Sequence, residues 1–126
     1  MSSPLLKKLR YRPGLRVAVL GAPAGFEAEL SGAELARASR LVANLELVQA
    51  FFTRRAHLGR AVGRLRRALA PGGILWLCYP KARALGTDLD RDVVRAVAAK
   101  AGLRSVAIVA VDDVWSALRV VAPAKR

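Results

Sequence analysis

RRALAPGGILWL, residues 66–77, joins the last turns of an amphipathic helix to a buried strand through a Pro-Gly-Gly stop. Upstream of it, Leu58, Ala61, Val62, Leu65 and Leu69 recur at helical spacing through residues 54–69. That pattern gives one apolar stripe to lie on a sheet while the arginines between face water. Thr53 stands where an N-cap belongs. Downstream, Pro71, Gly72 and Gly73 end the helix, and residues 74–79 resume as an apolar run. Before the helix, residues 45–52 are equally apolar and include two phenylalanines, the pattern of a central strand covered on both faces. Strand, helix and strand in this order predict a right-handed crossover and parallel pairing.

The same alternation continues in both directions. Toward the N-terminus, residues 16–20 form a short β-branched strand, Gly21, Pro23 and Gly25 punctuate its exit, and residues 24–30 suit a brief helix with Pro23 near its first turn. Residues 34–42 fit either a short strand or a helix, and residues 1–14 are a basic lead-in. Toward the C-terminus, residues 80–86 form a loop, and Thr87 with Asp90 has the Thr-x-x-acid spacing of an N-cap. The helix that follows would bury Leu89, Val93, Ala96 and Val97 and stop at Gly102. Residues 103–111 and 115–121 read as strands joined by a turn at Asp112 and Asp113, a terminal antiparallel hairpin. The predicted fold is α/β and three-layered, Rossmann-like, with a mostly parallel sheet of five or six strands in one domain over residues 15–122.

The 126 residues, 54% hydrophobic, suffice for a single core. The one cysteine, Cys78, lies in an apolar run, so neither a disulfide framework nor a zinc cluster is expected, and a reducing cytoplasm is the natural compartment. Charged residues interrupt every apolar run before the roughly 18–20 residues needed to span a bilayer, and the start is too short in apolar residues for a signal peptide. The net charge of +13 favours an anionic ligand, an acidic partner or nucleic acid. Yet 17 of the 22 basic residues are Arg in a chain rich in Ala, Gly, Leu and Val, a composition that GC-rich coding alone produces.

Several segments carry a family resemblance. RRALAPGGILWL resembles the helix, turn and strand late in class I methyltransferases, and the hairpin around Asp112, Asp113 and Trp115 is similar to the antiparallel pair that closes their sheet. YRPGLRVAVLGAP (11–23), AFFTRRAHL (50–58), WLCYPK (76–81), TDLDRDVV (87–94) and VAVDDVWSALRV (109–120) together resemble a family of small bacterial proteins with a truncated methyltransferase-like fold. That family brings no activity to carry over. A superfamily-type S-adenosylmethionine site needs a glycine-rich turn after the first strand and an acidic residue ending the second. Here the turn is Gly21-Ala22-Pro23-Ala24-Gly25, in which Pro23 removes an N–H. Residues 21–44 are also about half the chain that two full crossover units require. The resemblance therefore implies the fold with its ribose-binding layer trimmed and no cofactor expected.

Ligands of open α/β sheets bind outside the carboxyl ends of the parallel strands, where residues 21–25, 53–55 and 80–81 should meet. The candidate cleft comprises Gly21, Pro23, Gly25, Thr53, Arg54, Lys81, Asp113 and Trp115, suited to an anion. Each has a plainer structural role: Thr53 as a cap, Trp115 as hairpin packing, Asp112 and Asp113 as a turn whose side chains point apart. His57 lacks metal-spaced partners and reads as a surface helix residue; no Ser-His-acid grouping is recognisable and no catalytic residue is assigned. Arg54, Arg60, Arg64 and Arg67 on the basic helix suit phosphates, although aromatic stacking partners are scarce. The expectation is a binding or interaction protein rather than an enzyme. The alternatives are an S-adenosylmethionine- or nucleotide-binding enzyme contacting its ligand through Thr53, Lys81 and Asp113, and nucleic-acid binding through the arginine helix.

Overall fold

A computed structural model describes residues 3–123; Met1 and Ser2, where the basic lead-in begins, lie outside them. The elements run α1 (Pro4–Lys8), β1 (Arg16–Leu20), α2 (Ala24–Leu30), β2 (Ala36–Ala38), β3 (Leu45–Phe51), α3 (Arg55–Ala68), β4 (Leu69–Pro80), α4 (Arg91–Lys100), β5 (Arg104–Ala110) and β6 (Trp115–Val121). The six strands make one sheet in the order β2-β1-β3-β4-β6-β5. The first four pair in parallel, and β6 runs antiparallel to both β4 and β5. This is the predicted mostly parallel sheet with its C-terminal hairpin. The ambiguous stretch around residues 34–42 resolves as the short strand β2.

Alternation along the central strands feeds two cores. Val48, Ala50, Leu75, Leu77 and Leu118 face α3 and α4, burying Leu58, Leu65, Val94 and Ala98. Val17, Leu47, Trp76, Cys78 and Ala117 face α1 and α2, burying Leu6, Leu9 and Phe26. A sheet covered on both sides explains why β3 and β4 read as unbroken apolar runs. The basic lead-in adds to this core: Leu6 and Leu9 are buried, and the Trp76 indole N–H donates to the Leu9 carbonyl at 2.9 Å. α1 ends with Arg10 in the left-handed region (φ 73), its N–H donating to Lys7 O while the Tyr11 N–H donates to Leu6 O, a helix stop usually given to glycine.

Three local expectations change. The Thr53 side chain does not cap α3; Arg54 is the cap residue, and Asp88 Oδ1 instead accepts from the Arg55 N–H at 2.8 Å. Thr87 does not cap α4 either. Its hydroxyl donates to Thr53 O at 2.6 Å and accepts from the Leu89 N–H, while Asp90 Oδ1 caps the helix by accepting from the Val93 N–H at 2.8 Å. Both side chains have cap chemistry, and the one nearer the apolar run starts the helix. The buried stripe therefore shifts to Val94, Val97 and Ala98, with Leu89 buried ahead of the helix and Ala96 exposed. Finally, Pro71-Gly72-Gly73 lies within β4 as an irregularity between the Leu45–Leu69 and Leu47–Ile74 pairings rather than before it. Gly102 (φ 80) closes α4 as expected, with Leu103 N–H on Ala98 O and Gly102 N–H on Ala99 O.

The Val93 N–H first, then the Arg83 guanidinium, hold the Asp90 carboxyl below the usual aspartate range. A depressed folded-state value adds stability above the ordinary aspartate range that is lost as pH falls through the folded one. Asp90→Ala therefore lowers the melting temperature by a few degrees at neutral pH, and the gap to the parent closes in strong acid; thermal melts at the two pH values read it.

Candidate functional site

β1 and β3 end side by side, and the next residue after β1 is Gly21, at φ +69. A Cβ there would stand 3.0 Å from the Phe51 carbonyl oxygen, so glycine is what lets the chain leave the sheet at this corner. Between this corner and the first three turns of α3 lies a cleft of about 420 Å³, lined by Leu20, Gly21, Leu41, Phe51, Phe52, His57, Ala61, Arg64 and Leu65. The chain joining β2 to β3 is only residues 39–44, and within it Leu41 packs against the α3-side core. A short connection thus stands where a full crossover unit would open the sheet further.

His57, Ala61, Arg64 and Leu65 reach the cleft because they are spaced by whole turns of α3. The His57 ring meets Phe52 edge-on, centroids 5.0 Å apart. His57 is exposed, as the sequence implies, yet it belongs to the cleft wall, and so does Arg64 of the phosphate-suited stripe. The α3 spacing was visible in the sequence, but which of its faces meets the end of β1 was not.

Of the eight candidate residues, Gly21 alone lines this cleft. Pro23 is the cap residue of α2, and Gly25 lies in its first turn with nothing near the place of a Cβ. Thr53 and Arg54 are tied to the loop before α4, Thr53 O accepting from the Thr87 hydroxyl and Arg54 donating to Gly86 O at 3.1 Å. The N-terminus of α3, expected to welcome an external anion, already holds the Asp88 carboxylate on its Arg55 N–H. The Lys81 N–H donates to Val114 O at 2.6 Å, fastening the 3-10 turn Lys81–Gly86 to the hairpin. Asp113 is exposed on that hairpin, and Asp112 Oδ1 accepts from the Val114 and Trp115 N–H groups, the turn role foreseen for the pair. Trp115 is 8% exposed and sits T-shaped on Phe51 at 5.1 Å, which in turn packs on Phe26 at 5.3 Å. It is core, in the layer of α2.

The titratable groups inside the molecule serve structure. The Tyr11 hydroxyl donates to Gln49 Oε1 at 2.8 Å, and Gln49 Nε2 donates to Cys78 Sγ at 3.4 Å. Burial pushes the Tyr11 hydroxyl and the Cys78 thiol far up from their ordinary values, which keeps both neutral and unreactive. Among the described residues, no group of three or more His, Cys, Asp and Glu side chains is placed to hold a metal ion.

S-Adenosylmethionine, the ligand the fold family implies, does not fit these residues. Beside its methionine ammonium and carboxylate it carries a sulfonium cation and two ribose hydroxyls, and the sulfonium and hydroxyls call for a carboxylate in the wall. The ionisable side chains of the described wall are His57 and Arg64, and the chain leaving β2 continues with Ser39 and Arg40. Pro23 withholds an N–H from the turn where backbone donors would gather.

The sheet order, the layers and the strand-end cleft define a methyltransferase-like α/β fold of Rossmann type. Solved structures share it. A chain from a complex of the Haloferax volcanii Trm112 methyltransferase activator superposes with a TM-score of 0.67 at 12% identity, covering 97% of this chain and 88% of that one. An S-adenosylmethionine-dependent methyltransferase from Aquifex aeolicus gives 0.64 at 15% identity over 92% and 86% of the two chains. The [4+2]-cyclase SpnF gives 0.64 at 12% identity over 96% and 79%. No protein-family model matches the sequence, and no curated protein is significantly similar to it. At these identities the likeness is one of fold, and the cyclase among the matches illustrates that the fold alone does not dictate methyl transfer. No described helix is long and apolar enough to cross a membrane.

Proposed function

We propose that this chain is a binding protein that keeps the methyltransferase-like frame without methyl transfer, and that its strand-end cleft receives an anionic ligand with a flat, apolar body. The observation that carries this reading is the character of the wall: leucines and phenylalanines on its sides, with His57 and Arg64 as its ionisable groups. Apolar walls with a few placed polar groups are the usual make-up of ligand pockets, and the sign of those groups selects the ligand. Membership in the family of small bacterial proteins with this trimmed fold is part of the same proposal.

Isothermal titration with adenosine 5′-phosphate, adenosine and S-adenosylmethionine tests it, because the three share the nucleoside and differ in what its 5′ carbon carries: a phosphate, a hydroxyl, or a methionyl sulfonium with its ammonium and carboxylate. The expected order of affinity is phosphate over neutral over sulfonium, with Arg64→Gln abolishing the preference for phosphate. S-Adenosylmethionine binding as tightly as the phosphate, or methyl transfer to any acceptor, would refute it.

A second reading, nucleic-acid binding, is favoured by one observation. Arg54, Arg60, Arg64 and Arg67 are exposed along α3, and none is in an ion pair among the described residues. If they grip phosphates, the logarithm of the affinity for a duplex or single strand falls with log salt by about 0.7–0.9 per arginine engaged. Arg60→Gln with Arg67→Gln then removes about two contacts from that slope, measured by fluorescence anisotropy.

A further inference from the structure

The sheet has two outer edges, and they are built differently. At one, β2 is three residues long and its Arg37 is held by Glu27 of α2 at 2.7 Å. Short, charged edge strands discourage pairing with another sheet. At the other, β5 runs seven residues, and residues 105–111, SVAIVAV, contain no charged side chain. Val106 is 46% exposed and Ile108 51% exposed. Past Arg104, this edge is interrupted by the irregularity between Ser105 and Ala107, where Arg95 of α4 donates to the Ser105 hydroxyl at 3.0 Å. A long, apolar edge with unpaired N–H and C=O groups is a template for a further strand.

The charges at its two ends indicate which strand. Arg104 stands at the start of β5, and Asp112 with Asp113 follow its end. Among the described residues, none of the three takes part in an ion pair. A parallel neighbour of the same sequence would set Arg104 beside Arg104 and one acidic turn beside the other. An antiparallel neighbour, related by a two-fold axis near Ile108, sets each Arg104 beside the acidic turn of the other copy. Asp112 keeps Oδ1 on the Val114 and Trp115 N–H groups, which leaves Asp113 to meet the arginine. With a net charge of +13, two copies repel over most approaches, and this edge offers each of them acid against base.

We propose that a second copy of this chain pairs antiparallel with β5, joining two six-stranded sheets into one continuous sheet through an isologous interface. Ile108 meets its counterpart near the axis, and Arg104–Asp113 pairs close both ends. The inference is independent of what the cleft binds.

Sedimentation velocity of the full chain, from low micromolar to near-millimolar concentration, reads the outcome. A dimer is expected, with β5 amides gaining hydrogen-exchange protection as concentration rises. Ile108→Lys weakens it by about tenfold or more, and half exposure makes that substitution harmless to the monomer, which circular dichroism checks. Arg104→Glu and Asp113→Arg each weaken the dimer, and the double variant restores it. A chain that stays monomeric throughout, even if some other protein binds its edge, overturns the proposal. So does a dimer indifferent to Ile108→Lys, or a double charge swap that fails to restore association.

Discussion

Trp76→Ala lowers the unfolding free energy by about 3–5 kcal/mol, a large share of the roughly 5–15 kcal/mol that stabilises a typical domain. Trp76 is 1% exposed on β4, on the sheet face covered by α1 and α2. Its neighbours across the sheet are Gln49 on one side and Arg119 on the other, neither of which can move in to fill the space of an indole. Truncation leaves a cavity and removes the donor to Leu9 O, the bond that ties the end of α1 to the sheet. Trp76→Phe separates the two effects: most of the volume stays, and the loss falls to about 1–3 kcal/mol for a buried carbonyl left without its partner. Urea unfolding should show a lower midpoint with an unchanged slope for both variants. Trypsin should cut after Lys7 or Lys8 faster in Trp76→Phe than in the parent, because α1 loosens before the rest of the domain.

Periodicity carries the legible part of this fold. β1 and β6 fall on the residues that alternation and β-branching mark, and the stripe of Leu58, Ala61, Val62 and Leu65 lies on the sheet as its spacing requires. These signals are local, so one stretch of chain contains all of them. The cap assignments failed for the opposite reason. Thr53 and Thr87 each have the chemistry to cap the next helix, but the Thr87 hydroxyl donates to the Thr53 backbone carbonyl across 34 residues, and Asp88 and Asp90 take the helix N-termini. Competition between equally suited side chains is settled by tertiary position. The same holds for the cleft. His57 and Arg64 were visible as a helix face, yet whether that face meets the end of β1 or open water depends on how residues 39–44 cross back with Leu41. Trp115 had a packing role and a ligand role available from sequence, and the position of Phe51 beneath it decides for packing.

Gly21→Ala costs about 2–3 kcal/mol, whereas Gly25→Ala, four residues on in the same turn-and-helix segment, adds about 0.5 kcal/mol of stability. Gly21 has φ +69, where an L-residue is strained, and its added Cβ would stand 3.0 Å from Phe51 O, a backbone atom of a central strand that has little freedom to yield. Gly25 has no positive φ and open space where a Cβ would go, so alanine there brings only a better helix former to α2. A glycine pair kept for a nucleotide would behave otherwise: both residues would be needed for close approach of the ligand, and neither for the fold. The opposite responses expected here assign Gly21 to the β1–β3 corner and leave Gly25 without a binding role. Chemical denaturation measures the stability difference. Titration of Gly25→Ala with adenosine 5′-phosphate supplies the functional half, because a cleft walled by Gly21, Phe52, His57 and Arg64 should bind the probe as the parent does. Loss of that binding in a fully folded Gly25→Ala variant would mean that the ligand reaches over the start of α2 after all.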